Sequence, residues 1–206
     1  MITYEGKRVG IFIDIQNLYH SAKNLFDSRV NYNELIKVLV ADNKLIRALA
    51  YVVQSETILP TENGMLETTT GKSESSFFDA LKKAGIELRM KDIQVYPGGA
   101  KKADWDVGMA IDAVRISDGL DVVVLLTGDG DFIPLVNYLQ WGKGKKVIVA
   151  AFSQSTNGKL KEVCDKFIGI ENIPKVLSKI QHKSQKGAVK RRPNQTKKPG
   201  GKKDNL

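Results

Sequence analysis

The chain has 206 residues, 42% of them hydrophobic, which suits one ordinary folded domain with a substantial core. The single cysteine, Cys164, excludes an internal disulfide, and two histidines without a CxxC or HExxH motif exclude the usual zinc sites. The sequence shows no secretory signal pattern and no apolar run near the roughly 20 residues that cross a bilayer. We therefore expect a cytoplasmic protein with no membrane contact.

Charge divides the chain into two parts. Residues 175–206 contain 11 Lys and Arg residues against one acid, whereas residues 1–174 contain 21 basic and 22 acidic residues. The C-terminal part also lacks apolar periodicity and cannot bury enough surface to fold alone. We predict a folded domain over 1–174 and a basic disordered tail over 175–206. A cationic arm on a near-neutral body suits a polyanion such as RNA, although a solubilising end has the same composition.

Alternating strand and helix patterns follow in chain order. Apolar runs predict strands over Arg8–Ile15, Leu45–Val53, Ile86–Met90, Ile93–Tyr96 and Lys146–Phe152, with a central one that starts at Val122. Helical spacing predicts helices over residues 16–26, Glu34–Val40, Ser76–Ala84, Lys101–Ile116, Phe132–Trp141 and Leu160–Phe167. This rhythm predicts an α/β fold with a mostly parallel sheet that is covered on both faces.

Some local features are predicted within these elements. Asn33 and Asp104 are the expected N-caps of the second and fourth helices. The spacing of Leu18, Ala22 and Leu25 places them on the buried side of the first helix. In the fourth helix the corresponding residues are Val107, Ala110, Ile111 and Val114. The polar stretch Gln54–Ser75 has no clear period and is either a mobile flap or a disordered insertion.

Aspartates follow two of the predicted strands directly. Asp14 ends the first strand, and Asp129 and Asp131 follow the central strand, separated by a glycine. Asp106 lies in the first turn of the fourth helix, which reaches the same edge. Open α/β sheets bind ligands at the carboxyl ends of their strands, and clustered carboxylates require raised pKa values or a cation. Because only oxygen ligands are available, we expect Mg²⁺ or Mn²⁺ and phosphodiester hydrolysis.

Each of these acids also has a simpler interpretation. Asp131 can cap the helix that follows it, and Asp106 can favour the positive end of its own helix. An acid at the end of a buried strand, as at Asp14 and Asp129, costs desolvation unless it has a partner. Asp112 lies about 120° around the helix from Asp106 and is expected behind the site or on the surface.

Polar, basic and aromatic residues near the acids are candidates for substrate contacts. Asn17 either caps the first helix or binds a phosphate or a metal-bound water. Trp105 either stacks on a base or covers the end of its helix. Several lysines are close to this edge in the sequence and are candidates for phosphate binding: Lys101, Lys102, Lys143, Lys145 and Lys146.

Three segments together resemble a known family. FIDIQNL near the start, KADWDVGMAIDA in the middle and LLTGDGDFIPLV later are similar to the NYN domain, in its LabA-like branch of the PIN-like nucleases. The resemblance covers about residues 6–172. It implies a three-layer α/β/α sandwich and a metal-dependent ribonuclease site formed by Asp14, Asp106, Asp129 and Asp131. Thr127 matches a small hydroxyl position of the family. The chain departs from the family at Ile15, where glycine is frequent.

We therefore expect a Mg²⁺- or Mn²⁺-dependent ribonuclease, and an endoribonuclease in particular. The alternative is a catalytically weak RNA-binding or regulatory module on the same fold. A haloacid-dehalogenase-like phosphatase requires a second aspartate two positions after the first, where this chain has Gln16. A P-loop is absent from the sequence, so no nucleotide cofactor is expected. RNA is the predicted partner, and a homodimer is left open.

Overall fold

A computed structural model of the chain describes residues 5–54, 56–60, 66–70, 72–92, 94–95, 101–102 and 105–180. The described residues form twelve strands, numbered in chain order, and six of them form the main sheet: β1 (Arg8–Asp14), β3 (Lys44–Gln54), β6 (Glu87–Asp92), β9 (Val122–Leu126), β10 (Lys146–Ala151) and β11 (Lys166–Gly169). Short strands are β2 (Ser28–Val30), β4 (Glu56–Pro60), β5 (Leu66–Thr70), β7 (Gln94–Val95), β8 (Lys101–Lys102) and β12 (Leu177–Lys179).

The helices are α1 (Ile15–Phe26), α2 (Tyr32–Val40), α3 (Lys72–Lys83), α4 (Asp106–Ser117), α5 (Ile133–Asn137) and α6 (Gly158–Val163). Short 3-10 turns occupy Gly130–Phe132 and Ile170–Asn172, and a π-helical turn, Tyr138–Gly142, continues α5. Pro134 lies in the first turn of α5, where its missing N–H costs no helical hydrogen bond. Among the helices described, none is long and apolar enough to cross a membrane.

The six main strands form one parallel sheet in the order β11-β10-β9-β1-β3-β6. In chain order, β3 and β6 are added on one side of β1, and β9, β10 and β11 are then added on its other side. The order therefore reverses between β1 and β9, which makes this pair the topological switch point where such sheets bind ligands. Strand β1, which ends at Asp14, pairs directly with β9, which is followed by Asp129.

Both faces of the sheet are covered, which confirms the predicted three-layer α/β/α fold. Alternate residues of each central strand enter two separate cores. On β1, Val9, Ile11 and Ile13 pack with α1, α2 and α3, whereas Phe12 packs on the opposite side with α4, α5 and α6. The central strand β9 is buried along its whole length and β1 from Val9 to Ile13, as their continuous apolar runs predicted.

Several element boundaries differ from the predictions. Asn31, not Asn33, caps α2, with its side chain accepting a hydrogen bond from Glu34 N at 3.3 Å. Leu25 is 40% exposed, and Phe26 instead continues the buried face of α1 after Ala22. Phe167 lies in β11, not in the last helix, because α6 ends at Val163.

Two predicted loop regions contain regular structure. The stretch Gln54–Ser75 includes the antiparallel pair β4 and β5, and α3 already begins at Lys72. The folded part also extends beyond residue 174: Val176 is fully buried and β12 pairs antiparallel with β2. The rest of the predicted tail, residues 181–206, and the predicted cap Asp104 lie outside the described residues.

The predicted buried side of α4 is half right: Ala110 and Val114 pack against the core as predicted, whereas Val107 and Ile111 do not. Met109, Ala113 and Ser117 form its buried face, whereas Val107 is 69% and Ile111 is 52% exposed. Helix α4 has apolar residues on two faces, and the face that contacts the sheet is the one with the smaller side chains at its centre. The other apolar face is left at the surface next to α5.

Candidate functional site

The predicted acids lie at the carboxyl edge of the sheet, around the switch point between β1 and β9. Asp14 is the last residue of β1, and Asp129 follows β9 by three residues and caps the 3-10 turn after it. Asp106 is the first residue of α4, and Asp131 lies within the 3-10 turn. One strand, one turn and one helix start therefore bring four carboxylates to the same edge.

Asp106, Asp129 and Asp131 form a compact group. Each of them offers one carboxylate oxygen, and these oxygens lie within 4.8 Å of one another. Asp106 and Asp129 are half-buried, whereas Asp131 is exposed. Three anionic oxygens at this separation repel one another unless a cation lies between them. An oxygen-only ligand set with one side open to solvent suits a hard divalent cation that keeps several waters.

Asp14 lies beside this group and lines the same cavity as Asp106 and Asp129. Two hydrogen bonds hold its carboxylate in place. Its Oδ1 accepts from the backbone N–H of Asn17 at 3.0 Å, and its Oδ2 accepts from the Thr127 hydroxyl at 3.2 Å. Burial raises the pKa of the Asp14 carboxyl, and the two hydrogen bonds oppose that shift. The nearby charge of Asp129 raises the pKa further.

Thr127 and Asn17 fix the loop that carries Asp129. The fully buried Thr127 Oγ1 accepts from the backbone N–H of Asp129 at 3.2 Å, so one hydroxyl connects Asp14 with Asp129. The Asn17 Oδ1 accepts from the backbone N–H of Gly128 at 3.0 Å, which ties the start of α1 to the same loop. Both residues were candidates for substrate contacts, Thr127 through its match to the family's hydroxyl position, and that role stays a prediction; in the structure their hydrogen bonds hold the acids in place.

The two glycines of the Gly-Asp-Gly-Asp segment allow a neighbouring loop to approach. A Cβ at Gly128 would come within 3.0 Å of Thr156 Oγ1, and one at Gly130 would collide with the side-chain amide of Asn157. The backbone N–H of Asn157 also donates to Gly128 O at 2.9 Å. No pattern in the sequence indicates that residues 155–157 support the acidic loop, because they follow a different strand, β10.

Trp105 covers the start of α4. Its Nε1 donates to Val52 O at 2.9 Å, and its ring meets Tyr51 edge-on with 5.5 Å between centroids. The absence of a side chain at Gly108 lets the indole lie against the helix. Of the two interpretations of Trp105, the structure favours the cover of the helix end, although part of the residue still lines the cavity beside the acids.

Asp112 lies behind the site, as one of its two interpretations predicted. Its carboxylate accepts from the Tyr51 hydroxyl at 3.2 Å and pairs with Arg89 Nε at 3.2 Å. Burial raises the pKa of Tyr51, and the Asp112 carboxylate raises it further. Tyr51 in turn lines the cavity that contains the acids, so Asp112 supports the wall of the site from the far side.

Three of the lysines considered for phosphate binding lie at the other end of the sheet. Lys143 pairs with Asp118 at 3.0 Å, Lys146 pairs with Asp165 at 3.0 Å, and Lys145 donates to Leu120 O at 3.0 Å. These partners precede β9 and β11, so the lysines lie at the amino edge and the prediction was wrong for them. The backbones of Lys101 and Lys102 form β8, and their side chains lie outside the part of the chain that the structure describes.

The structure adds residues to the site that the sequence did not suggest. A cavity of about 250 Å³ is lined by Asp14, Asn17, Trp105, Asp106 and Asp129, together with Gln16, His20 and Tyr51. His20 follows Asn17 by three residues on α1, and that helical spacing could have indicated it. Tyr51 belongs to the neighbouring strand β3, and nothing in the sequence assigned it to this cavity.

Comparison with known proteins identifies the family. Residues 8–171 match the family model of the NYN domain. The chain belongs to the NYN domain family. The low amplitude and bright protein LabA of Synechococcus elongatus is 22% identical over 189 residues, which cover 87% of this chain and 92% of that protein.

The fold of this NYN domain is also found in a solved structure. A protein of unknown function from Vibrio parahaemolyticus, VPA0982, superimposes with a TM-score of 0.71 at 28% identity. The superposition covers 86% of this chain and 100% of the Vibrio chain. The LabA match supports the LabA-like branch within the family. NYN domains belong to the PIN-like nuclease superfamily, whose members generally use divalent metal ions.

Proposed function

We propose that this NYN domain is a metal-dependent ribonuclease that hydrolyses phosphodiester bonds at its carboxyl edge, and that it acts as an endonuclease. The observation that supports this function is the grouping of Asp106, Asp129 and Asp131 within 4.8 Å at the switch point of a NYN fold. Mg²⁺ and Mn²⁺ are the cations that such an oxygen-only set favours.

The proposed mechanism assigns the four acids to the cation and two polar residues to their positioning. Asp106, Asp129 and Asp131 would hold the cation, and Asp14, which lines the same cavity, would complete the ligand set. A divalent cation supplies the Lewis acidity that activates water and neutralises charge on the phosphate. Thr127 and Asn17 fix the positions of Asp14 and Asp129 through the hydrogen bonds described above, so that little reorganisation is needed when substrate binds.

The basic tail is proposed to add affinity for RNA without sequence preference. Its positive charge attracts phosphates, and counterion release makes such binding strongly salt-dependent. In the full chain, the double change Arg191→Gln and Arg192→Gln should reduce the salt dependence of RNA binding. An unchanged slope would assign the tail another role.

The test of the nuclease function is cleavage of a labelled mixed-sequence RNA by the purified chain with Mn²⁺, Mg²⁺ or EDTA. Asp14→Asn and Asp129→Asn are the test variants, and Asp118→Asn at the amino edge is the matched control. Cation-dependent cutting that is lost in both test variants and kept in Asp118→Asn supports the proposal. Circular dichroism shows whether each variant is folded.

Two other results would contradict the proposal. Equal trace activity in all proteins would indicate a contaminating nuclease. RNA binding without cutting would favour the alternative of a catalytically weak binding module on the same fold. A covalently closed circular RNA then separates the modes of attack, because only an endonuclease can open it.

A further inference from the structure

Exposed apolar side chains are concentrated in the layer that α4 and α5 form. Four of the nine large apolar residues that the described part of the chain exposes lie there: Val107 at 69%, Ile111 at 52%, Tyr138 at 49% and Trp141 at 88%. A groove of about 730 Å³ lies between the two helices, with Tyr138 on its α5 side. Large apolar surfaces grouped in one place mark interaction sites.

The exposed side of α4 has the same apolar pattern in both chain directions. Val107 and Val114 lie equally far from the midpoint between Ala110 and Ile111, and all four residues line the groove. If a second copy of α4 packs here in the opposite direction, Val107 of one copy meets Val114 of the other. Ile111 then lies beside the two-fold axis and meets its own equivalent. Two-fold interfaces require such a self-complementary surface, because the same residues contribute from both subunits.

Charges along α4 favour the same antiparallel arrangement. The helix begins at Asp106, within the group of three acids, and Arg115 lies nine residues later, about 14 Å along the axis. Arg115 is 74% exposed and contacts Asp112 at 3.8 Å, and Asp112 also pairs with Arg89 at 3.2 Å. Two arginines and one aspartate therefore border the second half of the helix. Antiparallel packing places this basic half beside the acidic start of the other copy, whereas parallel packing would place like charges together.

We propose that the exposed face of α4 is a dimer interface, on which a second copy of this chain packs with its own α4 in the antiparallel direction. The inference goes beyond the proposed ribonuclease function and does not depend on it. A second copy is favoured over an unrelated partner because one helix supplies both halves of the contact. Its apolar stripe matches itself when reversed, and its acidic and basic halves complement each other. The two groups of acids would lie at opposite ends of the interface.

The first test is sedimentation equilibrium of the full chain after removal of nucleic acid, so that bound RNA cannot join two copies through their basic tails. The wild type should be a dimer, and Ile111→Glu should raise its dissociation constant about 100-fold. The change occurs twice at the centre of the interface, and each central contact contributes roughly tenfold. Val38→Glu is the matched control, since Val38 is 37% exposed on α2 in the opposite layer. This variant should dimerise as the wild type does.

Disulfide cross-linking tests the antiparallel register without an added charge. Ile111→Cys should form a covalent dimer on oxidation by copper phenanthroline, because its two thiols meet beside the axis. Val107→Cys is the matched control: residue 107 is more exposed, but about 10 Å along the axis separate it from its equivalent, too far for a disulfide. A mixture of Val107→Cys and Val114→Cys should cross-link. The wild type should not, since its single cysteine, Cys164, is buried.

Three results would overturn the inference. A wild type that stays monomeric at every concentration would show that no second copy binds this face. A dimer that persists in folded Ile111→Glu would use another surface. Cross-linking of Val107→Cys with itself, but not with Val114→Cys, would indicate parallel packing. Circular dichroism shows whether Ile111→Glu is folded, and the cysteine variants decide if it is not.

Failure of this inference is distinguishable from failure of the proposed function, because neither test measures cleavage. A dimer with the predicted cross-links that cuts no RNA would support the interface and contradict the nuclease function. A monomer that cuts RNA would contradict the interface alone.

Discussion

Acidic residues at the two edges of the central sheet have different partners. At the amino edge, Asp121 accepts from the guanidinium of Arg8 at 2.9 Å, and Asp165 pairs with Lys146 at 3.0 Å. At the carboxyl edge, Asp14 and Asp129 accept hydrogen bonds from a hydroxyl and from backbone N–H groups. Asp121 and Asp165 are paired with basic side chains of the protein, whereas the hydrogen bonds described above for Asp14 and Asp129 come from neutral donors.

The pKa shifts follow the same division. The hydrogen bond from the Arg8 side chain holds the pKa of Asp121 well below its usual range. Burial instead raises the pKa of Asp14. Acids with satisfied partners stabilise the fold, whereas acids without a compensating charge destabilise it and are typical of functional sites. The four predictions below test this difference, from the largest expected effect to the smallest.

A divalent cation should stabilise the protein only through the carboxyl edge. At 100 times its dissociation constant, Mn²⁺ should raise the free energy of unfolding by about 2.7 kcal/mol, since it binds the folded state alone. Asp129→Asn should remove this gain, and Asp118→Asn at the amino edge should keep it. Thermal unfolding with and without Mn²⁺ measures the effect. An equal gain in both variants would place the cation elsewhere.

Removal of the Thr127 hydroxyl should lower the free energy of unfolding of the protein. Thr127→Val keeps the shape but leaves a buried backbone N–H and a buried carboxylate without their partner, which costs about 1–3 kcal/mol. Thr127→Ser retains the hydroxyl and is the matched control. Urea unfolding gives the stability, and the cleavage assay should show a loss in the valine variant alone. Wild-type stability in Thr127→Val would mean that the hydroxyl does not carry the connection between Asp14 and Asp129.

Asp14→Asn should stabilise the cation-free protein at neutral pH. Because the pKa of Asp14 is raised in the folded state, its ionisation opposes folding once the pH exceeds the ordinary aspartate value of about 4. The advantage of the variant should therefore be absent in acid and grow as the pH rises toward 7. Urea unfolding across this range in EDTA measures it. A variant less stable than the wild type at pH 7 would contradict the prediction.

Asp121→Asn should have the opposite and smallest effect. The pKa of Asp121 is lowered in the folded state, so its contribution is present at neutral pH and is lost as the pH falls. The pair is exposed to solvent, and such pairs contribute little to stability. The variant should be slightly less stable than the wild type at pH 7, equal to it in strong acid, and unchanged in RNA cleavage. A loss of cleavage would mean that the two edges are not independent.

Sequence patterns predicted those parts of the candidate site whose position depends only on residues nearby in the sequence. Asp14 and Asp129 follow apolar runs that are buried from both sides, and such runs have few alternatives to a central strand. Asp106 was located because a helix start is visible in the sequence. Tyr51 and the loop 155–157 were missed, since each reaches the site from an element whose position depends on strand order; His20 was also missed, although its spacing from Asn17 on α1 could have indicated it.

At two places the sequence is compatible with two local structures, and contacts between residues far apart in the chain determine which one forms. Asn31 and Asn33 can both cap α2, and Asn31 is selected because its backbone N–H donates to Val176 O at 2.7 Å. The same contact brings residues 176–180, which the charge pattern assigned to the tail, into the fold. Helix α4 has two apolar faces, and packing of Met109 and Ala113 on the sheet leaves Val107 and Ile111 at the groove.

The strand and helix order and the layered fold could be predicted from the sequence because they depend on short-range patterns, and the family because three segments resemble it; the roles of the four acids stay a prediction. The tertiary structure decided which acids group together, which residues support them, which lysines lie far from them and where the apolar groove opens. Those features depend on contacts between residues far apart in the chain, and local preferences carry no information about such contacts.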